Sequence, residues 1–278
     1  MDLNLKQHVR QAKDGDLQAL EKVVSGIQER IYGLALRMLG HQQDAEDEAQ
    51  EILIKIITHL SDFREESAFT SWVYRIACNH ILTARKKRTE RLGLTFDILE
   101  DSVSAGLENI EQLTVSGPER DVLLEETRVG CMQGALVCLE REVRIVMILG
   151  EQYGVTSKEG AFILDITPEL FRKRLSRGKK SLQDFMMKNC GLVNSNNPCR
   201  CHKQAGGRLK NGLIDMKFVK KEKASQGRTE AVTHLRELDE IDRSIAMYRR
   251  YPEYHTPESF THIMKNLIST GKYNVLGG

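Results

Sequence analysis

The chain has 278 residues, 40% hydrophobic and 29% charged, with a net charge of +2. That length suits two or three small domains, and no apolar run approaches the ~20 residues a membrane helix needs. The opening MDLNLKQHVRQAKDGDL lacks the apolar core of a signal peptide, so the expected location is the cytoplasm. The charge is clustered: acid from Asp44 to Glu51, base from Arg85 to Arg91, Arg172 to Lys180 and Lys203 to Arg228, which predicts separate surfaces for separate partners.

Helical periodicity runs from Leu3 to about Lys13 and from Asp16 to Leu39, broken by Asp14-Gly15-Asp16, which offers an N-cap. Leu20, Val23, Val24, Ile27, Ile31, Leu34 and Met38 form the apolar face of the second helix, and Gly40-His41 ends it. The next helix begins near Asp44, with acid at its positive end. Ala49, Leu53, Ile56, Ile57 and Leu60 form its stripe; Asp47, Gln50 and Glu51 make an acidic, amide-bearing patch elsewhere on its surface. A polar loop, Ser61 to Glu66, carries Phe63 as either a core anchor or a stacking surface, and Ser67 is a candidate cap for the helix after it.

Ser67 to Arg88, SAFTSWVYRIACNHILTARKKR, reads as one helix. Phe69, Trp72, Val73, Ile76, Ala77, His80, Ile81 and Ala84 share a face, Ser71, Arg75, Asn79 and Leu82 the other, and Arg85, Lys86, Lys87 and Arg88 make a basic tail. Such a combination suits an element that packs on a core while touching a polyanion; an amphipathic helix with a solvated charged end is the alternative. From Gly93 to about Pro118 the periodicity fades into Ser, Gly, Glu and Asp, the composition of an acidic linker largely without fixed structure.

Helical pattern resumes near Glu119, with Val122, Leu123, Val129, Met132, Leu136, Leu139, Val143, Ile145, Val146 and Leu149 facing a second core. Ser157 to Leu164 then forms a short helix, Asp165-Ile166 a turn, and Thr167-Pro168 caps and starts a further helix. Phe171, Leu175, Leu182, Phe185 and Met186 point inward there, while Arg172, Lys173, Ser176, Arg177 and Lys180 face out. That is the helix-turn-helix layout, whose second helix enters the major groove; an ordinary helical hairpin with a charged outer face is the alternative.

Taken in order, the two halves resemble the extracytoplasmic-function (ECF) group of the bacterial sigma-70 family. The resemblance rests on DAEDEAQEILIKI (Asp44 to Ile56), FREESAFTSWVYRIACNHILTARKKR (Phe63 to Arg88), LEREVRIVMIL (Leu139 to Leu149) and DITPELFRKRLSRGKKSL (Asp165 to Leu182), and covers roughly residues 5 to 188. Within the second half, Gly160 and Phe162 in SKEGAFILDI depart from the family's usual acidic and alanine-rich pattern. The resemblance implies an all-α, non-enzymatic factor: residues 1–92 as sigma region 2, 93–118 as linker, 119–188 as region 4, and 189–278 as an extension. It implies two partners, core RNA polymerase and promoter DNA, and leaves an anti-sigma factor open.

By position, the resemblance places Asp47, Gln50 and Glu51 against the polymerase and Phe63 as the wall that captures a flipped base of the minus-ten element. Asn79 would read that base's edge, Trp72 would lie near the upstream fork, and Arg75, Arg85, Lys86 and Arg88 would hold phosphates. Core packing is the alternative for Trp72. Arg172, Lys173, Ser176, Arg177 and Lys180 match the face that reads the minus-thirty-five element. A DNA-binding regulator using the helix-turn-helix alone is the rival reading, but it has no use for an acidic docking helix beside an aromatic, basic one. An enzyme sited in the tail is a third.

The tail holds Cys190, Cys199, Cys201 and His202 in CGLVNSNNPCRCH. Three thiolates and an imidazole suit zinc, copper(I) or cadmium, although Cys201 and His202 are adjacent and do not easily share one ion. A thiol redox switch and spare cysteines are the alternatives. Cys78, Cys131 and Cys138 lie in apolar-periodic segments, as buried free thiols do. Lys203 to Arg228 reads as a flexible basic connector. Two amphipathic helices come after it, one striped by Leu235, Leu238, Ile241, Ile245 and Tyr248, the other by Phe260, Ile263, Met264, Leu267 and Ile268. Similar Cys-bearing extensions occur in some members of the family, so the resemblance implies that the tail is a built-in regulator, with no cofactor required by the sigma domains themselves.

Overall fold

The computed structural model describes residues 3–85, 87–108, 117–210, 214, 240–249 and 254–270. Among them the regular elements are helical: α1 (Leu3–Lys13), α2 (Leu17–Leu39), α3 (Gln42–Thr58), α4 (Phe69–Thr83), α5 (Arg88–Arg91), α6 (Phe96–Glu108) and α7 (Pro118–Val137) come first. After them come α8 (Arg141–Met147), running into a π turn at Ile148–Gln152, then α9 (Ser157–Leu164), α10 (Pro168–Asn189), α11 (Cys201–Lys210), α12 (Glu240–Arg249) and α13 (Glu258–Ser269). The one β-type pairing among the described residues is an isolated bridge between Cys190 and Cys199. No described helix is long and apolar enough to cross a membrane. The chain divides into two units, one of Met1–Leu92, Val155–Lys173 and Glu253–Gly278, the other of Gly93–Gly154 and Arg174–Pro252.

In the first unit α2 is the central element. Asp16 caps it, its carboxylate accepting from the Gln18 and Ala19 amides at 2.9 and 3.1 Å. Gly40, at φ 66°, closes it in the left-handed conformation that glycine adopts without steric cost. All seven residues of the expected α2 stripe are buried. Ala45, Ala49, Ile52, Leu53, Ile56 and Ile57 of α3 are buried too, and α3 packs along α2. The stripe of α4 differs from expectation: Ser71, Tyr74 and Cys78 are buried with Phe69, Val73, Ala77 and Ile81, while Trp72 and Ile76 are only half-buried. Ala68, not Ser67, occupies the N-cap, and no side chain caps this end. The helix stops at Thr83, so Arg85 lies beyond it.

The tail returns to this unit. Phe260, Met264 and Ile268 of α13 are buried, and α13 packs on α2 and α3. Phe260 meets Tyr32 at 6.1 Å between ring centroids, and His255 pairs with Glu29 at 3.1 Å. Ile263, expected in the same stripe, is exposed instead.

The second unit contains a helix where a structureless linker was expected. Residues 96–108 form α6, with Leu99 and Val103 buried and Phe96 against Phe185 at 5.5 Å. Phe96, Leu99 and Val103 recur at steps of three and four, a short stripe diluted by the surrounding Ser, Asp and Glu. Residues 109–116 of that expected linker lie outside the described residues. The apolar positions of α7 and α8 are buried as their spacing predicts, and Arg144 is buried with them, donating to the carbonyls of Leu136, Val137 and Leu139 at 2.7–3.0 Å. Those carbonyls end α7, so one guanidinium satisfies acceptors that a helix terminus leaves open. In α12, Ile245 and Tyr248 are buried. Leu235 and Leu238, with most of the basic connector, lie outside the described residues, though 201–210 is helical rather than flexible.

Candidate nucleic-acid interface

The acidic helix α3 divides its carboxylates between two directions. Asp44 and Glu48 are four residues apart and flank the buried face; their side chains are 9% and 4% exposed. Glu48 accepts from His80 Nε2 at 2.6 Å and pairs with Lys87 at 2.5 Å. Asp44 accepts the Arg88 backbone amide at 3.2 Å. Lys55 Nζ sits 2.7 Å from His80 Nδ1. An ammonium can only donate, so Nδ1 accepts and the ring proton sits on Nε2, facing Glu48. The inner carboxylates therefore bind the exit of α4 and the basic segment to α3. Asp47 and Glu51 are exposed and Gln50 half-buried, so the sequence-predicted patch is displayed as a patch. Glu51 also approaches His80 at 3.6 Å. Glu48, Glu51 and His80 form the one preassembled trio of potential metal ligands among the described residues, but Lys55 and Lys87 already supply its positive charge.

Trp72, Arg75 and Asn79, at steps of three and four, share one strip of α4 that the core leaves uncovered. Asn79 is exposed and Trp72 half-buried. Phe63 is not a free stacking surface: it is 5% exposed, packed on Phe69 and Trp72 at 5.3 and 5.5 Å, with Lys13 donating to its carbonyl at 2.7 Å. A ring so enclosed anchors the loop, and base capture by it would require that cluster to open. Arg75 is held by α9: it donates to the Phe162 carbonyl at 3.2 Å, lies over the Phe162 ring at 5.1 Å and stands 3.7 Å from Asp165. In this arrangement its guanidinium is partly engaged, with 37% of the side chain still exposed. Arg85 and Arg88 are exposed; Lys86 lies outside the described residues.

The helix-turn-helix has the predicted boundaries. Thr156 and Glu159 form a capping box at α9, Asp165 ends it at φ 54°, and the Thr167 hydroxyl accepts the Leu170 amide at 3.1 Å to start α10. Gly160, one of the two departures from the family pattern, is explained by packing: a methyl there would overlap the ring of Phe171, which is 1% exposed. Along α10, Arg172, Lys173, Ser176, Arg177 and Lys180 are all exposed. Lys173 pairs with Glu169 at 2.8 Å and Arg177 with Glu140, both at exposed sites where such pairs are weak.

In the tail, His202 is exposed and does not join the three thiols. Cys190, Cys199 and Cys201 instead share a cavity with Cys131 of α7. Burial pushes Cys199 and Cys201 up to about 12, and neighbouring thiols add to the rise. Glu48, His80, Lys87 and Cys131 are the participants that sequence reasoning missed. Glu48 sits four residues after Asp44, an available signal; nothing in the sequence links Cys131 to Cys190.

The Sigma-70 region 2 family matches residues 23–91. The chain is 30% identical over 185 residues to the ECF RNA polymerase sigma factor SigW of Bacillus subtilis, an alignment covering 66% of this chain and 97% of that protein. It is 30% identical over 181 residues to the RNA polymerase sigma-H factor of Pseudomonas aeruginosa, covering 64% and 91%. With the ECF RNA polymerase sigma-E factor of Escherichia coli K12 the identity is 28% over 179 residues, covering 63% and 91%. An acidic helix bound to a basic one, a helix-turn-helix downstream and near-complete coverage of SigW agree: this chain belongs to the extracytoplasmic-function group of sigma-70 family sigma factors.

Proposed function

We propose that this sigma factor docks on core RNA polymerase through Asp47, Gln50 and Glu51 and reads the minus-ten element through the Trp72–Arg75–Asn79 strip of α4. The minus-thirty-five element is read by Arg172, Lys173, Ser176, Arg177 and Lys180. The observation carrying this reading is the division of labour on α3. Its inner carboxylates are consumed in positioning the basic exit of α4, and its outer ones are exposed beside it. Asn79 supplies an amide able to donate and accept at once on a base edge, and Trp72 a partly open aromatic face. Arg85 and Arg88 add phosphate contacts whose affinity weakens with salt. An Arg of α10 pairing bidentately with guanine contributes ~1–3 kcal/mol of discrimination.

Arg75 must leave α9 to join that strip. Its salt bridge to Asp165, 37% and 84% exposed at the two side chains, contributes little; its position over Phe162 adds about 0.5–1 kcal/mol and its hydrogen bond to the Phe162 carbonyl about 0.5–1.5 kcal/mol. A latch this weak is readily offset by a few new phosphate contacts. The test is run-off transcription with purified core polymerase on sheared genomic DNA. Discrete transcripts that depend on this chain and are lost in Glu51→Lys and Asn79→Ala support the reading. Sequence-specific duplex binding without polymerase, and no transcripts, would favour a stand-alone DNA-binding regulator.

A further inference from the structure

The second unit holds a concentration of chemistry that promoter recognition does not use. Cys131 of α7, Cys190 just past α10, Cys199 in the loop beyond it and Cys201 at the start of α11 all line one cavity of about 30 Å³. That is space on the order of one water or one ion. All four thiols are free. Their loop is held in shape: Cys190 and Cys199 face each other across the isolated bridge, and Arg200 donates to the carbonyls of Ser195, Asn197 and Cys199 at 2.6–3.0 Å. Gly191 belongs to the same closure, since any side chain there would overlap Arg200 and the Cys199 carbonyl.

Two independent features say what occupant would suit the cavity. First, Arg128, Arg200 and Arg208 also line it, Arg128 paired with Glu125, so that the guanidiniums of Arg200 and Arg208 in particular match an occupant that leaves net negative charge on sulfur. Second, Tyr248 is 0% exposed and its hydroxyl is buried with no hydrogen-bond partner; the thiols of Cys131 and Cys190 are among its electrostatic neighbours. A buried O–H without an acceptor is costly, and a thiolate sulfur is the acceptor at hand. Neutral thiols serve neither feature.

We propose that Cys131, Cys190, Cys199 and Cys201 bind one thiophilic d10 cation, zinc(II) or its class, as a tetrathiolate that closes the C-terminal loop and α11 onto α7. Each thiol gives its proton to solvent and its electron pair to the metal, so one Zn2+ forms four Zn–S bonds, releases four protons and leaves a site of charge −2 facing the three arginines. His202 takes no part. No three of the thiols already stand within 4.8 Å of one another. In a tetrahedral zinc site with Zn–S near 2.3 Å they lie roughly 3.8 Å apart. Binding therefore contracts the cluster and clips the start of the extension to α7.

The experiment uses the full chain, reduced and stripped of metal, titrated with Zn2+ against a chromophoric chelator, with Co2+ as the spectroscopic probe. Wild type is expected to bind one zinc, release four protons and give the intense sulfur-to-cobalt charge transfer of a four-thiolate site. Cys131→Ser and Cys201→Ser should each lose more affinity than the roughly 10–100-fold that removal of an outer-shell partner costs. Cys131→His should recover part of it, Tyr248→Phe should lose about 10-fold, and His202→Ala and Cys138→Ser should match wild type. Helicity of each metal-free variant, measured by circular dichroism, separates lost ligation from lost folding. Absence of zinc binding in the wild type, full affinity in Cys131→Ser, or loss of affinity in His202→Ala would each overturn the proposal.

Discussion

Glu48 is the residue whose removal tests most directly how α3 positions the basic segment. Its side chain is 4% exposed and accepts from both His80 and Lys87. In Glu48→Gln the amide oxygen can still accept the His80 Nε2 proton, but its NH2 faces an ammonium with no acceptor to offer. One charge-assisted hydrogen bond is lost, worth about 1.5–3 kcal/mol. Lys87 is 30% exposed and can turn to water, so the expected cost is ~1–2 kcal/mol. Glu48→Ala removes both bonds and leaves His80 (8% exposed) without that buried acceptor; its expected cost is about 3–5 kcal/mol, as for breaking a buried pair. Urea unfolding reads both, and the chain's single tryptophan, Trp72, reports from the helix concerned. A cycle with Lys87→Met should return a coupling of ~1–2 kcal/mol. Glu48→Ala costing under about 1 kcal/mol, with no coupling to Lys87, would refute the argument that α3's inner carboxylates hold this segment.

Other positions give sharper local readings. Gly160→Ala gains about 1 kcal/mol of helix propensity but overpacks Phe171, at ~1–3 kcal/mol; urea unfolding should show net destabilisation, and promoters dependent on the minus-thirty-five element should weaken more than others. Thr156→Ala breaks the α9 capping box and should cost about 0.5–2 kcal/mol in the same assay. The Thr156 amide and hydroxyl hold Glu159 below the usual carboxylate range. Its small contribution is therefore present above the unfolded value of 4.5 and is lost as pH falls through the lower folded one, so Glu159→Gln should flatten the acid limb of stability against pH. Phe162→Ala removes the ring under Arg75 and should strengthen duplex binding at low salt, read by fluorescence anisotropy; an unchanged affinity would remove α9 as a competitor for that guanidinium.

Periodicity found the helices wherever the apolar stripe was long and the ends were marked by capping chemistry. Asp16, Gly40 and the Thr167-Pro168 start are local signals, satisfied by atoms within a turn or two, so the chain announces them on its own. The α6 helix escaped because Phe96, Leu99 and Val103 are three apolar residues in a polar stretch, and their burial depends on Phe185, some ninety positions later. Phe63 illustrates the same dependence in reverse: an aromatic in a polar loop looks available until Phe69 and Trp72 close over it.

The candidate site was legible as residue types and illegible as roles. Asp44, Glu46, Asp47, Glu48 and Glu51 are five carboxylates in one short stretch; spacing puts Asp47 and Glu51 on a surface patch but gives Glu48 no role. Which of them face inward is decided by His80, Lys87 and Arg88, which reach α3 from the last turn of α4 and beyond it. Asp47 and Glu51 stay exposed, Glu51 approaching only the edge of that network, 3.6 Å from His80. The same logic separates Asn79 from Arg75 on one strip of helix, since α9 satisfies the arginine while the amide stays exposed. The docking residues of such a helix are best identified by subtraction: intramolecular partners are assigned first, and the carboxylates that remain are the ones an external partner can recognise.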